Sequence, residues 1–517
     1  MQKLTLVAFA ALTFCIPLAT HAADGTPLWT NAVTTLPALA PALTSARNIL
    51  VDTNGNSYVT GYYINAQSNA DFLTVKYLPN GVAAWARLRD GGVQANDVIN
   101  AMALDGAGDI YVAGNSPGAG TGNDFLVVEY SPAGSLQHQI RYNSGGSNDD
   151  FATALAIDVS GEVFVGGQTV VSTTNSTWKI VKLSSTLTPL WTNSFSGAGI
   201  GFDQVKAIAA DTSGGVYVTG YAMDVASNFD YATVKYSSAG TLLWVNKFHG
   251  ASNGDNLVQS VALDNEGNTY VTGIATGTAG SFDYATIKIS STGQGVWTNI
   301  YDGPNHSDDE AVAVALDSAE NVYVTGTSIG AGGSYGYTTI KYSNAGVPAW
   351  TNFFNGIGNR GGQATGFAVD GSGNAYVTGT SFGGLRPDEF VTVKYATGGA
   401  AVWTNLYSGG TAAGVVADIN GNAYVTGNSS SGVIATIEYS AAVAPLSFVT
   451  TNGNFGPFNN HFVLSLTGPA GSNAVVSATT NFQNWVPIAT NQIPSGALQV
   501  TDTLAPNNLR FYRAQLQ

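Results

Sequence analysis

The chain has little of what most catalytic or nucleic-acid-binding proteins use. Of its 517 residues one is cysteine, and that one, Cys15, falls in an apolar leader. No disulfide and no thiolate chemistry is therefore expected of the rest. Charged residues make up only 10% of the chain, and 18 Lys and Arg stand against 33 Asp and Glu, for a formal net charge of −15. That balance lacks the basic footprint a phosphate backbone requires, so nucleic acid is not an expected partner. Past the leader there are His138, His249, His306 and His461, with no pair at i, i+4 to build a zinc site. No later stretch reaches the about 18 consecutive apolar residues of a membrane helix. The repeating part of the chain carries no helical period.

What is there begins with that leader. Met1 to Ala22 combines Lys3, an apolar run from Leu4 to Leu18 and small residues around Ala22, the layout of a secretory signal peptide. Cleavage is expected after Ala22, and Phe14 before Cys15 argues against a lipid anchor. The expected location is outside the cytoplasm: extracellular, cell surface or periplasmic.

Glycine numbers 63, which favours tight turns between short strands. The segment "DTNGNSYVTG", ending at Gly61, returns in altered form at Gly114, Gly167, Gly220, Gly273, Gly326, Gly379 and Gly427. The spacing is 53 residues, except for 48 at the last step. Each copy divides into four strand-like runs, in the sixth copy 311–317, 321–328, 337–343 and 347–354, rich in β-branched and aromatic residues. Runs apolar on both faces, such as "YATVKY" at 231–236, must be covered on both sides, which radial stacking of blades achieves.

The fourth run carries Trp85, Trp191, Trp244, Trp297, Trp350 and Trp403, with His138 in the second copy. The eighth copy lacks this run, while "PLWTN" with Trp29 stands alone just after the leader. The expectation is an all-β fold: an eight-bladed β-propeller closed by the N-terminal strand, so that no sheet edge is left open. After a linker at 441–446 a small C-terminal β-sandwich is expected over 447–517, which makes 23–440 the propeller and 1–22 the signal peptide.

The "AxAxD", "GNxYVTG" and Trp-bearing strands resemble the bacterial SBBP-type β-propeller repeat. That resemblance covers roughly 26–440 and implies a secreted or cell-surface propeller with no single activity. The tail, with "TTNFQNWVPIATN" (479–491) and "NNLRFYRAQ" (507–515), resembles a C-terminal module of exported bacterial proteins.

Candidate chemistry sits in the connections. Asp97, Asp150, Asp203 and Asp309 each fall eight residues before a repeat Asp, in the link from fourth to first strand. Asp71, Asp124, Asp230, Asp283 and Glu389 precede third strands. Both connections emerge on one face of a propeller, which should be acidic. Two readings apply: a polyol- or cation-binding mouth, for which Ca2+ is the fitting ion, or acids that accept backbone N–H bonds within their own loops. His306, near Asp308 and Asp309, is the one histidine placed to act with a carboxylate.

Lys76, Lys182, Lys235, Lys288, Lys341 and Lys394 share one slot and are expected to pack their stems between blades with heads in water. The "DxxGN" turns read as hairpins, lacking the acids of an EF-hand. "GTSIG" (326–330) and "GTSFG" (379–383) match G-x-S-x-G but follow a strand with no helix after it, so they are not expected to be nucleophiles.

The expectation is a monomeric, non-enzymatic scaffold with no resident cofactor, binding a ligand, glycan or extracellular protein through the acidic-face loops. The alternatives are a polysaccharide lyase or hydrolase with acids or Tyr at the channel mouth, and an architectural cell-surface protein. No catalytic residue and no metal ligand can be assigned from the sequence alone.

Overall fold

The structure, a computed structural model, describes residues 25, 27–33, 43–278, 280–383 and 388–441 and seven strands in the C-terminal region. The expected signal peptide and 442–446 of the expected linker lie outside them. Residues Pro27–Tyr439 form one compact unit, and Met1–Thr26 with Ser440–Gln517 a second.

The first unit is built of eight four-stranded antiparallel sheets. In the sixth, the strands are Glu310–Leu316, Val322–Ile329, Tyr335–Tyr342 and Pro348–Phe354, within two residues of the runs read from the sequence. The hairpin between the first two is organised by one carboxylate. Asp317 Oδ1 accepts from the N–H groups of Ala319 (3.0 Å) and Asn321 (2.9 Å), and its Oδ2 accepts from the Tyr323 hydroxyl (3.0 Å). Asp370 repeats the pattern with Ser372, Asn374 and Tyr376. The "DxxGN" stretches are thus Asx-type hairpin turns.

Second and third strands are buried on both faces; Val322, Tyr323, Val324 and Thr325 are all sealed. Apolar clusters accordingly run between blades. Tyr58, Phe72 and Trp85 of the first blade pack with Ile99, Val112 and Leu126 of the second. First strands of neighbouring blades touch one another, which places them innermost, around the axis. Fourth strands, alternately exposed and half-buried, lie outermost.

The fourth strand explains the recurrent "WTN". Side chains two apart on a strand share a face, so Trp and Asn both reach the third-to-fourth turn of the next blade. Trp297 Nε1 donates to Asn344 O (3.0 Å) and Asn299 Nδ2 to Gly346 O (2.8 Å). The glycine is required there: Gly346 has φ 80°, and a Cβ on it would meet the Trp297 ring at 2.9 Å.

The same lysine slot joins this contact, with a correction to the expectation. The heads do not lie in water. Lys341 is 8% exposed, its Nζ 4.7 Å from the Tyr323 ring centroid, 3.4 Å from Asp317 and bonded to Thr397 O of the next blade (3.2 Å).

Closure follows the expectation. Pro27–Ala32 pairs antiparallel with Ile434–Tyr439, Trp29 opposite Glu438 and Asn31 opposite Thr436. Trp29 Nε1 donates to Pro79 O (3.1 Å) and Asn31 Nδ2 to Gly81 O (2.7 Å), so the N-terminal strand completes blade 8 and grips blade 1 as other fourth strands grip their neighbours. In the second unit the strands form a four-stranded and a three-stranded antiparallel sheet, the latter made of Val486–Gln492, Asn473–Thr479 and Phe511–Leu516.

Trp29→Phe, which keeps a ring but loses the indole bond, is expected to cost about 1 kcal/mol. Trp29→Ala is expected to cost about 2–4 kcal/mol. Urea unfolding of the full chain measures both, and equal stability of Trp29→Ala and parent would refute the closure.

Candidate functional site

The fourth-to-first connections and the second-to-third loops meet at one end of the blades. Four acids singled out in the sequence, Asp97, Asp150, Asp203 and Asp309, are no more than 1% exposed there. Each closes its own connection. Their Oδ2 atoms accept from the N–H six residues earlier, at Gly91 (2.7 Å), Ser144 (2.8 Å), Gly197 (2.7 Å) and Gly303 (2.5 Å). The other oxygen turns to the second strand of the following blade. Asp150 Oδ1 accepts from the Thr169 hydroxyl (2.6 Å) and Asp203 Oδ1 from Met223 N–H (2.7 Å). Burial pushes the carboxyls of Asp97, Asp203 and Asp309 above the usual range, against the pull of these bonds.

The residue one earlier also has a task the sequence reading missed. Asn96, Asp149, Asp255 and Asp308 accept from the N–H groups of Ala70, Asn123, Phe229 and Phe282, tying each connection to the start of a third strand. Each acceptor lies 26 residues after its donor, a regularity visible in the sequence once the repeat is aligned.

Carboxylates from both connections converge. Oxygens of Asp71, Asp90 and Asp97 lie within 4.8 Å of one another, as do those of Asp283, Asp302 and Asp309. Asp224, Asp230 and His249 form a third group. His306 does not join Asp309; its Nδ1 lies 2.7 Å from Asp302, and this hydrogen bond raises the imidazole pKa.

A second feature had no counterpart in the sequence reading. Every first strand carries a β-bulge at the same repeat position, and the unpaired residues are Arg47, Asn100, Thr153, Lys206, Gln259, Val312, Thr365 and Ala413. Several bolt neighbouring blades together at the axis: Asn100 Nδ2 donates to Ala152 O (2.8 Å), Thr153 Oγ1 to Val205 O (2.7 Å) and Thr365 Oγ1 to Ala412 O (2.9 Å). Composition gives no signal of it, since one extra residue shifts register without changing residue types.

Three bulge residues line a cavity of about 460 Å³ across the first strands of blades 2 to 4. Its walls carry Asn100, Asn115, Gln168, Gln204, Thr153 and Lys206, with Phe151 among the apolar residues. Gln204, Phe151 and Val98 are at the starts of their strands, which places the cavity at the channel end where the acidic connections enter. Gln204 Oε1 accepts from the Tyr221 hydroxyl (2.6 Å), which fixes its amide. Burial alone pushes the Lys206 ammonium below its ordinary pKa, with no carboxylate offsetting it. The two G-x-S-x-G serines lie elsewhere: Ser328 and Ser381 sit buried within strands Val322–Ile329 and Ala375–Ser381, with no following helix to make a nucleophile elbow.

These features define a closed eight-bladed β-propeller with a polar channel mouth and aspartate-bearing connections after blades 1 to 5. A beta-propeller repeat family model, SBBP, matches residues 39–62. Among solved structures the chain is similar to the Dos1 propeller, with 8% identity over 80% of this chain and 95% of that one, and a TM-score of 0.53. The WD40 beta propeller domain of Doa1 aligns at 13% identity over 66% and 92% of the two chains (TM-score 0.38). Extracellular domains 1–2 of Drosophila Semaphorin 1b align at 8% over 81% and 87% (TM-score 0.37). No curated protein matches.

Asp203→Ala leaves two part-buried N–H donors, of Gly197 and Met223, without their acceptor and is expected to destabilise the chain by about 1–3 kcal/mol. Urea unfolding checks it; an unchanged midpoint would show that this carboxylate does not close its loop.

Proposed function

We propose that the chain is a non-enzymatic binding scaffold, exported under its N-terminal leader and acting as a monomer, which takes a polyhydroxylated ligand of the saccharide type into the channel mouth. The observation that carries this reading is the cavity at blades 2 to 4. Primary amides offer both donor and acceptor, the pairing a sugar hydroxyl needs, and Phe151 gives an apolar surface beside them. Lys206 stands there without a described hydrogen-bond partner in a chain of net charge −15, which favours a ligand bearing a carboxylate, such as a uronic acid.

Catalysis finds less support at this place. A glycoside hydrolase needs two carboxyls about 5–9.5 Å apart across the bond it cleaves, and no acid lines the cavity. The acids that sequence reasoning put at the mouth are engaged in their own loops.

An array of neutral and uronic-acid oligosaccharides tests the reading, followed by calorimetry on the best binder. Lys206→Met is expected to weaken an acidic saccharide by roughly 10–100-fold, the equivalent of about 1.5–3 kcal/mol for a charged hydrogen bond, while leaving a neutral one nearly unchanged. Release of product from any of the same polymers would overturn the non-enzymatic reading.

A further inference from the structure

The repeat supplies its own controls for the carboxylate groups. Three slots recur every 53 residues: one opening the third strand, one after the fourth strand and one in the connection. Blade 1 fills them with Asp71, Asp90 and Asp97, blade 2 with Asp124, Asn143 and Asp150, blade 4 with Asp230, His249 and Asn256, and blade 5 with Asp283, Asp302 and Asp309.

In each set except the last, the acid that opens the third strand has a side-chain partner. In blade 1 the Asn65 amide lies 3.2 Å from both oxygens of Asp71, and the Arg141 guanidinium bonds Gly91 O (2.6 Å) and the Ser116 hydroxyl (2.8 Å), groups that flank Asp97. In blade 2, Thr121 (2.8 Å) and Arg141 (3.3 Å) both reach Asp124 Oδ2. In blade 4 His249 replaces one acid and holds Asp230 at 2.7 Å, while Asn256 replaces another.

Blade 5 has three acids and neither device. Gly277 occupies the position of Asn65, and Phe353 that of Arg141. A side chain at Gly277 would begin 2.3 Å from Asp283 Oδ2, so the loop approaches this carboxylate as closely as in blade 1 but brings no donor. Asp283 is 7% exposed, and its Oδ1 is sealed from solvent with no hydrogen-bond partner among the described residues. Burial, then the charges of Asp302 and Asp309, push its pKa up to about 6. The His306 imidazole offsets some of this from the solvent side, with its side chain 74% exposed. A buried carboxylate that accepts no bond, beside two others, is costly unless something positive fills the gap.

We propose that Asp283, Asp302 and Asp309 bind one divalent cation of the calcium class, and that the matching trio of blade 1 does not. An all-oxygen donor set selects a hard cation over zinc or copper. Three carboxylates supply three to six of the oxygens Ca2+ takes, water or loop carbonyls providing the remainder. The site is separate from the channel cavity, so it stands or falls without the saccharide reading.

Calorimetric titration of the EDTA-treated full chain with CaCl2 tests it. A single site is expected, lost or weakened roughly tenfold or more in Asp283→Asn and Asp302→Asn, since even an outer partner of a metal ligand is worth about 10–100-fold. Asp71→Asn is expected to bind as the parent does. Thermal unfolding separates ligation from folding: without Ca2+, Asp283→Asn should be at least as stable as the parent, because it removes repulsion, yet should no longer gain stability when Ca2+ is added. No calcium heat in the parent, equal affinity in Asp283→Asn, or loss of binding in Asp71→Asn would each overturn the proposal.

Discussion

The first unit rests on one interblade contact, the grip of a fourth-strand Trp on the next blade's turn. The indole covers a glycine on which a Cβ would clash with the ring, its N–H reaches a carbonyl of the same turn, the Asn two residues on takes a second carbonyl, and a buried lysine bonds a carbonyl of the next blade. None of these bonds lies within a sheet. A blade apolar on both faces has no stable existence alone, so what must be specified is how one blade sits on the next, and this contact does so with hydrogen bonds that have direction. Hydrophobic burial supplies the driving force without fixing the angle.

That contact accounts for the ends of the unit. A fourth strand is both the outer edge of its own sheet and the clamp on its neighbour, so a ring missing one would lose an edge and a clamp together. Placing the missing strand at Pro27–Ala32 makes the last interface covalently dependent on the whole length of the chain between. The price is a long-range pairing, Trp29 with Glu438, whose loop-closure entropy must be met before the contact forms.

The architecture was legible because it is repeated: a period read eight times averages out local noise, and the orphan "PLWTN" had one vacancy to fill. The site was less legible, for the same reason. Asp97, Asp150, Asp203 and Asp309 stood out because they recur, and what recurs at one repeat position serves the blade; these acids are spent on Gly91, Ser144, Gly197 and Gly303. The lysine heads were placed in water because a lone sequence shows the stem and not the carbonyl on the next blade. The bulges were invisible because one extra residue shifts register without changing composition.

Function in such a ring is therefore to be sought where symmetry breaks. The bulge position is polar in blades 1 to 5 and 7, and it is a lysine or arginine only at Arg47 and Lys206, while blades 6 and 8 carry Val312 and Ala413. The acid that opens the third strand is bonded by Asn65, Arg141 and His249 in blades 1, 2 and 4, and in blade 5 Asp283 has no such partner among the described residues. Both departures are substitutions within a fixed frame, with neighbouring blades showing what the frame needs for stability alone. Lys206 and Asp283 exceed that need: a half-buried ammonium without an acid, and a buried acid without a donor. Each unfavourable charge persists in a protein otherwise economical with charge, and a bound partner of opposite sign is the simplest physical account of both.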